Sequence, residues 1–66
     1  MQNKELVYII QGNYGNGWED VSFYPCGIRR KKEKEQLESV KHDLKEYNLS
    51  GFGPHRVIKR YESIVE

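Results

Sequence analysis

The chain has 66 residues, 36% hydrophobic and 32% charged, with a formal net charge of +1. A chain this short buries only about 60% of the surface it exposes when unfolded, which suits one thin-cored domain and excludes a deep catalytic cleft. The composition is too apolar for a disordered tail and too charged for a membrane protein, and a single cysteine, Cys26, excludes an internal disulfide.

The longest apolar run, Leu6 to Ile10, is far short of the roughly 20 residues of a membrane helix. No segment has the charged start and apolar centre of a signal peptide. A cytoplasmic location is therefore expected, with one domain over residues 1–66 and frayed ends at 1–4 and 63–66.

Residues 5–11 are rich in Val, Ile and Tyr and apolar at nearly every position, the pattern of a strand at the centre of a small sheet. Leu6, Tyr8 and Ile10 point one way, and Val7, Ile9 and Gln11 the other. The segment GNYGNG, 12–17, supplies residues that tolerate a tight reversal, with Asn16-Gly17 the strongest turn signal. Residues 18–24 then form the return strand, with Val21 and Phe23 expected on one face and Trp18, Asp20, Ser22 and Tyr24 on the other. Pro25 ends it, having no N–H for a ladder.

From about residue 30 to 47 the period becomes helical. Leu37, Val40, Leu44 and Tyr47 make one apolar stripe, and residues 48–51 make a stop. Gly53-Pro54 introduces a last strand at 55–62. A helical crossover that returns the third strand beside the first gives spatial order 2-1-3. The expected fold is therefore α+β: a three-stranded antiparallel sheet of β-β-α-β topology, covered on one face by one helix.

No pattern here amounts to an active site. The glycine-rich segment precedes a strand with two carboxylates, whereas a phosphate loop needs a following helix. Adjacent strand residues point to opposite faces, so Glu19 and Asp20 cannot flank one substrate; Asp20 is expected to pair with a basic residue or meet a partner. Cys26, His42 and His55 lack the spacing of a thiol enzyme or a zinc site. Neither an enzyme, a metal nor a cofactor is expected.

Partner contacts are better supported. Tyr14, at the hairpin tip with no evident packing partner, is a candidate contact residue, as is Trp18. Arg29, Arg30, Lys31 and Lys32 oppose the dipole of a helix start. They are either a solvated linker before a helix beginning near Glu33 or a patch for an anionic partner. If the helix covers the face bearing Ile58, then Val57, Lys59 and Tyr61 lie on an uncovered face open to a partner.

The strings YIIQGNYGNGWEDV, 8–21, and HRVIKR, 55–60, resemble a family of small uncharacterised bacterial and phage proteins. Its members share a strand ending in Gln-Gly, an Asn-Tyr-Gly-x-Gly-Trp-Glu-Asp hairpin, a helix with a Leu-Lys-x-Tyr element and a final Arg-[Val/Ile]-Ile-Lys-Arg strand. Those elements fall here at Gln11-Gly12, residues 13–20, 44–47 and 56–60, and the likeness covers most of 7–61. Members usually have more alanine in the helix, where this chain has RRKKEKE. The resemblance implies an accessory role and brings no catalytic residue or cofactor.

The reading that follows is a non-enzymatic module that binds an unidentified protein or itself, with homodimerisation included. The runner-up is weak binding of single-stranded nucleic acid by a basic and aromatic sheet face together with residues 29–32. A basic run continuous with Lys59 and Tyr61 would favour nucleic acid; opposite sides would favour protein.

Overall fold

The computed structural model describes residues 3–64. Its elements are β1 (Asn3–Asn13), β2 (Trp18–Pro25), a short turn of 3-10 helix (Ile28–Arg30), α1 (Glu33–Leu49) and β3 (His55–Ile64). The sheet is antiparallel with order β2-β1-β3. The β-β-α-β topology and the central place of the most apolar strand are those expected.

The central position explains why β1 is apolar on both sides. Leu6, Tyr8 and Ile10 form the main core with Cys26 and Val40, joined by Tyr24, Leu37, Leu44, Tyr47 and Val57. Val40 is the one helix residue that is fully buried, so α1 contacts the sheet through a narrow stripe. Val7 and Ile9, on the other face of β1, are also buried. There the cover comes from within the layer, because Phe23 and Ile58 flank Ile9 across both ladders and cross-strand pairs share a face.

Several boundaries differ from expectation. β1 and β3 pair as far as Asn3 with Ile64 and Lys4 with Ser63, beyond the strand limits expected at 5 and 62; residues 1, 2, 65 and 66 lie outside the described residues. The helix begins at Glu33, the alternative in which residues 29–32 form a linker. Its first turn holds Glu33 and Glu35, which suit the positive end of the dipole.

The ladder with β2 shifts register between Ile10 and Gln11, where Ile10 faces Ser22 but Gln11 faces Asp20. Val21 is the extra residue of this bulge, which turns the strand beyond it by one position. Trp18 and Asp20 therefore share the face of Phe23, not that of Ser22 and Tyr24 as simple alternation predicts.

Two side chains of β2 fasten the sheet to the helix. Ser22 and Tyr47 share a hydroxyl–hydroxyl hydrogen bond of 2.8 Å, and the Tyr24 hydroxyl donates to Asp43 Oδ2 at 2.6 Å. Burial first, and the Asp43 carboxylate second, push the Tyr24 phenol up to about 12. An unfolded phenol ionises near 10, so the folded state holds this proton to higher pH than the unfolded state does. Its contribution is complete below pH 10 and is lost as pH climbs towards about 12, a loss of roughly 1–3 kcal/mol. Alkaline melting curves should show that decline, and Tyr24→Phe should flatten it.

Candidate functional site

Three surfaces bring together residues with binding chemistry. The first is the sheet face opposite α1. Gln11, buried at its centre, donates from Nε2 to Asp20 Oδ1 (2.8 Å) and accepts at Oε1 from Arg56 Nε (2.9 Å). Arg60 donates to both Asp20 oxygens, at 2.9 and 3.5 Å, and its hydrogen bond with that of Gln11 holds the Asp20 carboxyl below its ordinary range. The pairing expected for Asp20 is thus with Arg60 of β3, across β1. Glu19 and Asp20 do not converge on one site.

Arg56 completes the row by lying over Trp18, its Cζ 4.1 Å from the ring centroid. This cation–π contact and the bond to Gln11 tie the guanidinium to the sheet while Arg56 remains exposed. On the same face Phe23 is 55% exposed and Trp18 39%, with Ile58 half-buried on the edge strand β3. The arrangement is a rigid strip of aromatic and arginine side chains, the residue types that dominate binding energy at protein interfaces.

The second surface is on the helix side, near the start of α1. Val57 faces Ile10, Lys59 faces Tyr8 and Tyr61 faces Leu6, so all three share the face that packs on the helix. This corrects the expectation that they occupy the uncovered face; Ile58 does instead. Val57 packs against the core, Lys59 Nζ sits 5.9 Å from the Tyr8 ring centroid and Tyr61 is 55% exposed. Arg30 donates to the Tyr61 hydroxyl at 2.6 Å and lies 3.7 Å from Glu33. Residues 29–32 are therefore continuous with Tyr61 and Lys59. Arg29 and Arg30 both take left-handed conformations, with φ of 59° and 57°, which are uncommon for side-chain-bearing residues. Arg29, Lys31 and Lys32 line an open cavity of about 450 Å³ with Gly27.

The third surface is the opposite end of the sheet, where the hairpin meets the loop between α1 and β3. Tyr14 does have a packing partner, contrary to expectation. Its hydroxyl is 2.9 Å from His55 Nε2 and its ring meets His55 edge-on, while Tyr47 stacks on the other side of the imidazole. His55 Nδ1 lies 2.9 Å from the Gly53 carbonyl, which can only accept. In the neutral ring the proton is on Nδ1, and Tyr14 donates to Nε2. Tyr14 is thereby a strut of the fold with one exposed edge. Next to it, an open cavity of about 460 Å³ is lined by Asp43, Glu46, Tyr47, Ser50 and Phe52.

Cys26 is wholly buried, and burial pushes its thiol up, away from the reactive thiolate. His55 is committed to Tyr14, Tyr47 and Gly53. Among the described residues no group of three His, Cys, Asp or Glu side chains is placed to hold a metal ion, and no helix is long and apolar enough to cross a membrane.

Sequence reasoning missed Phe23, Arg56, Ile58 and Gln11 as members of the exposed face. The signal for Arg56 and Ile58 was their alternation with Val57, but its phase rests on the register with β1. No protein-family model, curated protein or solved structure matches the chain.

Proposed function

We propose that this chain is a non-enzymatic interaction module that binds a protein through the helix-free face around Trp18, Phe23, Arg56 and Ile58. The observation that carries the reading is the exposed Arg56 guanidinium held on Trp18, on the same sheet face as an exposed Phe23. Such a surface is pre-organised: the side chains lose little further freedom on docking. The hairpin and final strand, in their resemblance to bacterial and phage proteins, fit an accessory role in the cytoplasm of a bacterial cell.

A second reading, weak binding of single-stranded nucleic acid, meets the criterion set from the sequence, because residues 29–32 are continuous with Tyr61 and Lys59 through the Arg30–Tyr61 bond; ten carboxylates and a net charge of only +1 rank it second. Backbone phosphates would meet Arg29, Lys31 and Lys32, and a base would stack on Tyr61.

Affinity capture from host lysate, with and without nuclease, separates the two when wild type is run beside Phe23→Ser and a Lys31→Glu/Lys32→Glu variant. The expected result is a stoichiometric protein that survives nuclease and binds the double variant. With the purified partner, Phe23→Ser should weaken binding about 30-fold, the scale of a hot-spot residue. Capture of nucleic acid that is lost with the double variant and kept with Phe23→Ser would replace the first reading by the second.

A further inference from the structure

The two outer edges of the sheet differ. The β2 edge is interrupted by the bulge at Val21 and ends at Pro25, devices that blunt an edge against pairing. β3 has neither: it pairs with β1 without a shift from His55 to Ile64, and proline is absent from it.

The phase of the β3 edge follows from hydrogen bonds elsewhere. In an antiparallel ladder each residue points its N–H and C=O to one side, and successive residues alternate. The Leu6 carbonyl accepts from the Cys26 N–H, on the β2 side, at 2.9 Å. Leu6 thus points away from β3, and its partner Tyr61 points away from β1. Two further bonds agree. The Asn13 N–H reaches the Pro54 carbonyl on the β3 side at 3.0 Å, and the His55 N–H turns outward to Asn48 Oδ1 at 2.9 Å. The backbone groups of Val57, Lys59, Tyr61 and Ser63 therefore line the outer edge. Of the outward-facing residues from His55 to Ser63, His55 alone has its N–H satisfied by a side chain among the described residues.

We propose that a second copy of this chain pairs antiparallel with this edge, about a two-fold axis at Tyr61. Charge favours this axis, and an axis at Val57 would set Lys59 opposite His55, whose N–H is already taken by Asn48. Pairing about Lys59, Arg60 or Glu62 would set like charges directly opposite each other, which is unfavourable. The Tyr61 axis sets Arg60, which also holds Asp20 and lies 4.0 Å from the Glu62 of its own chain, against the partner's Glu62 twice over, and Lys59 against the partner's Ser63. Lys59, Tyr61 and Ser63 each gain a partner for both N–H and C=O. The formal net charge of +1 offers little repulsion between copies. The product is a continuous sheet of twice three strands, with both helix-free faces on the same side. The inference goes beyond the interaction-module reading, because it uses the β3 edge and leaves the helix-free face open to another partner.

Sedimentation and amide hydrogen exchange across a concentration series test it. The expected result is a species of twice the chain's mass in which the Lys59, Tyr61 and Ser63 amides slow as concentration rises. The Ile58, Arg60 and Glu62 amides, already bonded to β1, should be slow throughout. Tyr61→Pro removes an outward N–H and should give a folded monomer. Glu62→Arg keeps every backbone group and should raise the dissociation constant about tenfold. Phe23→Ser, on the face and off the edge, should leave the dimer intact. A monomer at every concentration up to about 1 mM, or a dimer whose Lys59, Tyr61 and Ser63 amides exchange at the monomer rate, would overturn the proposal. Protein capture sensitive to Phe23→Ser would stand in either case.

Discussion

Replacing Gly53 with alanine should lower stability by about 3 kcal/mol, from backbone strain and overpacking together, although Gly53 is far from the centre of the core. Gly53 has φ of 133°, a conformation that side-chain-bearing residues rarely adopt. A Cβ there would also run into the Asn13 carbonyl oxygen, a backbone atom that cannot swing aside. The Asn13 N–H also donates to the carbonyl of the next residue, Pro54, so the loop after α1 lies tightly over the base of the hairpin. Moving it apart would also disturb His55, which leans on the Gly53 carbonyl and the Tyr14 hydroxyl. Thermal or urea melts of the two proteins measure the difference. A change under about 1 kcal/mol would mean that the loop relaxes freely and does not clamp this end.

Ile10→Ala should cost about 3–4 kcal/mol, a large part of the roughly 3–10 kcal/mol a domain of this length commands. Ile10 is 0% exposed, sits in the cluster with Tyr8 and Val40 and pairs with Val57. With α1 above it, truncation leaves an enclosed void. Ile9 is equally 0% exposed but lies on the face with no helix. Its truncation opens to water and lets Phe23 and Ile58 close in, so Ile9→Ala should cost about 1–2 kcal/mol. Paired urea titrations of the two variants compare the faces directly. Equal losses would mean that the two sides of β1 are packed alike.

Much of this architecture was legible because it rests on local chemistry. The apolar run from Leu6 to Ile10 located the central strand, and the glycine-rich segment located the hairpin. Four cations before Glu33 were poor material for a first helical turn, and the helix does begin at Glu33. What resisted reading was phase. β3 carries apolar residues on both faces, Ile58 on one and Val57 and Tyr61 on the other, so composition could not say which face meets the helix. The register of Ile10 with Val57 decides it. The bulge at Val21 has no glycine or proline to announce it, yet it moves Trp18 and Asp20 onto the face of Arg56 and Arg60. Tyr14 read as a contact residue without a packing partner because that partner, His55, lies 41 positions away in sequence.

The functional account depends on the helix-free face being where a partner docks. The most direct measurement is an NMR titration of isotope-labelled protein with the protein it captures, following the Trp18 indole N–H, the Phe23 ring, the Arg56 guanidinium and the Ile58 methyl groups. The account predicts that these signals shift together and saturate, while those of Lys31, Lys32 and Lys59 stay in place. Shifts confined to residues 29–32, Lys59 and Tyr61, with Trp18 and Phe23 unmoved, would contradict it and place binding on the helix side of the sheet.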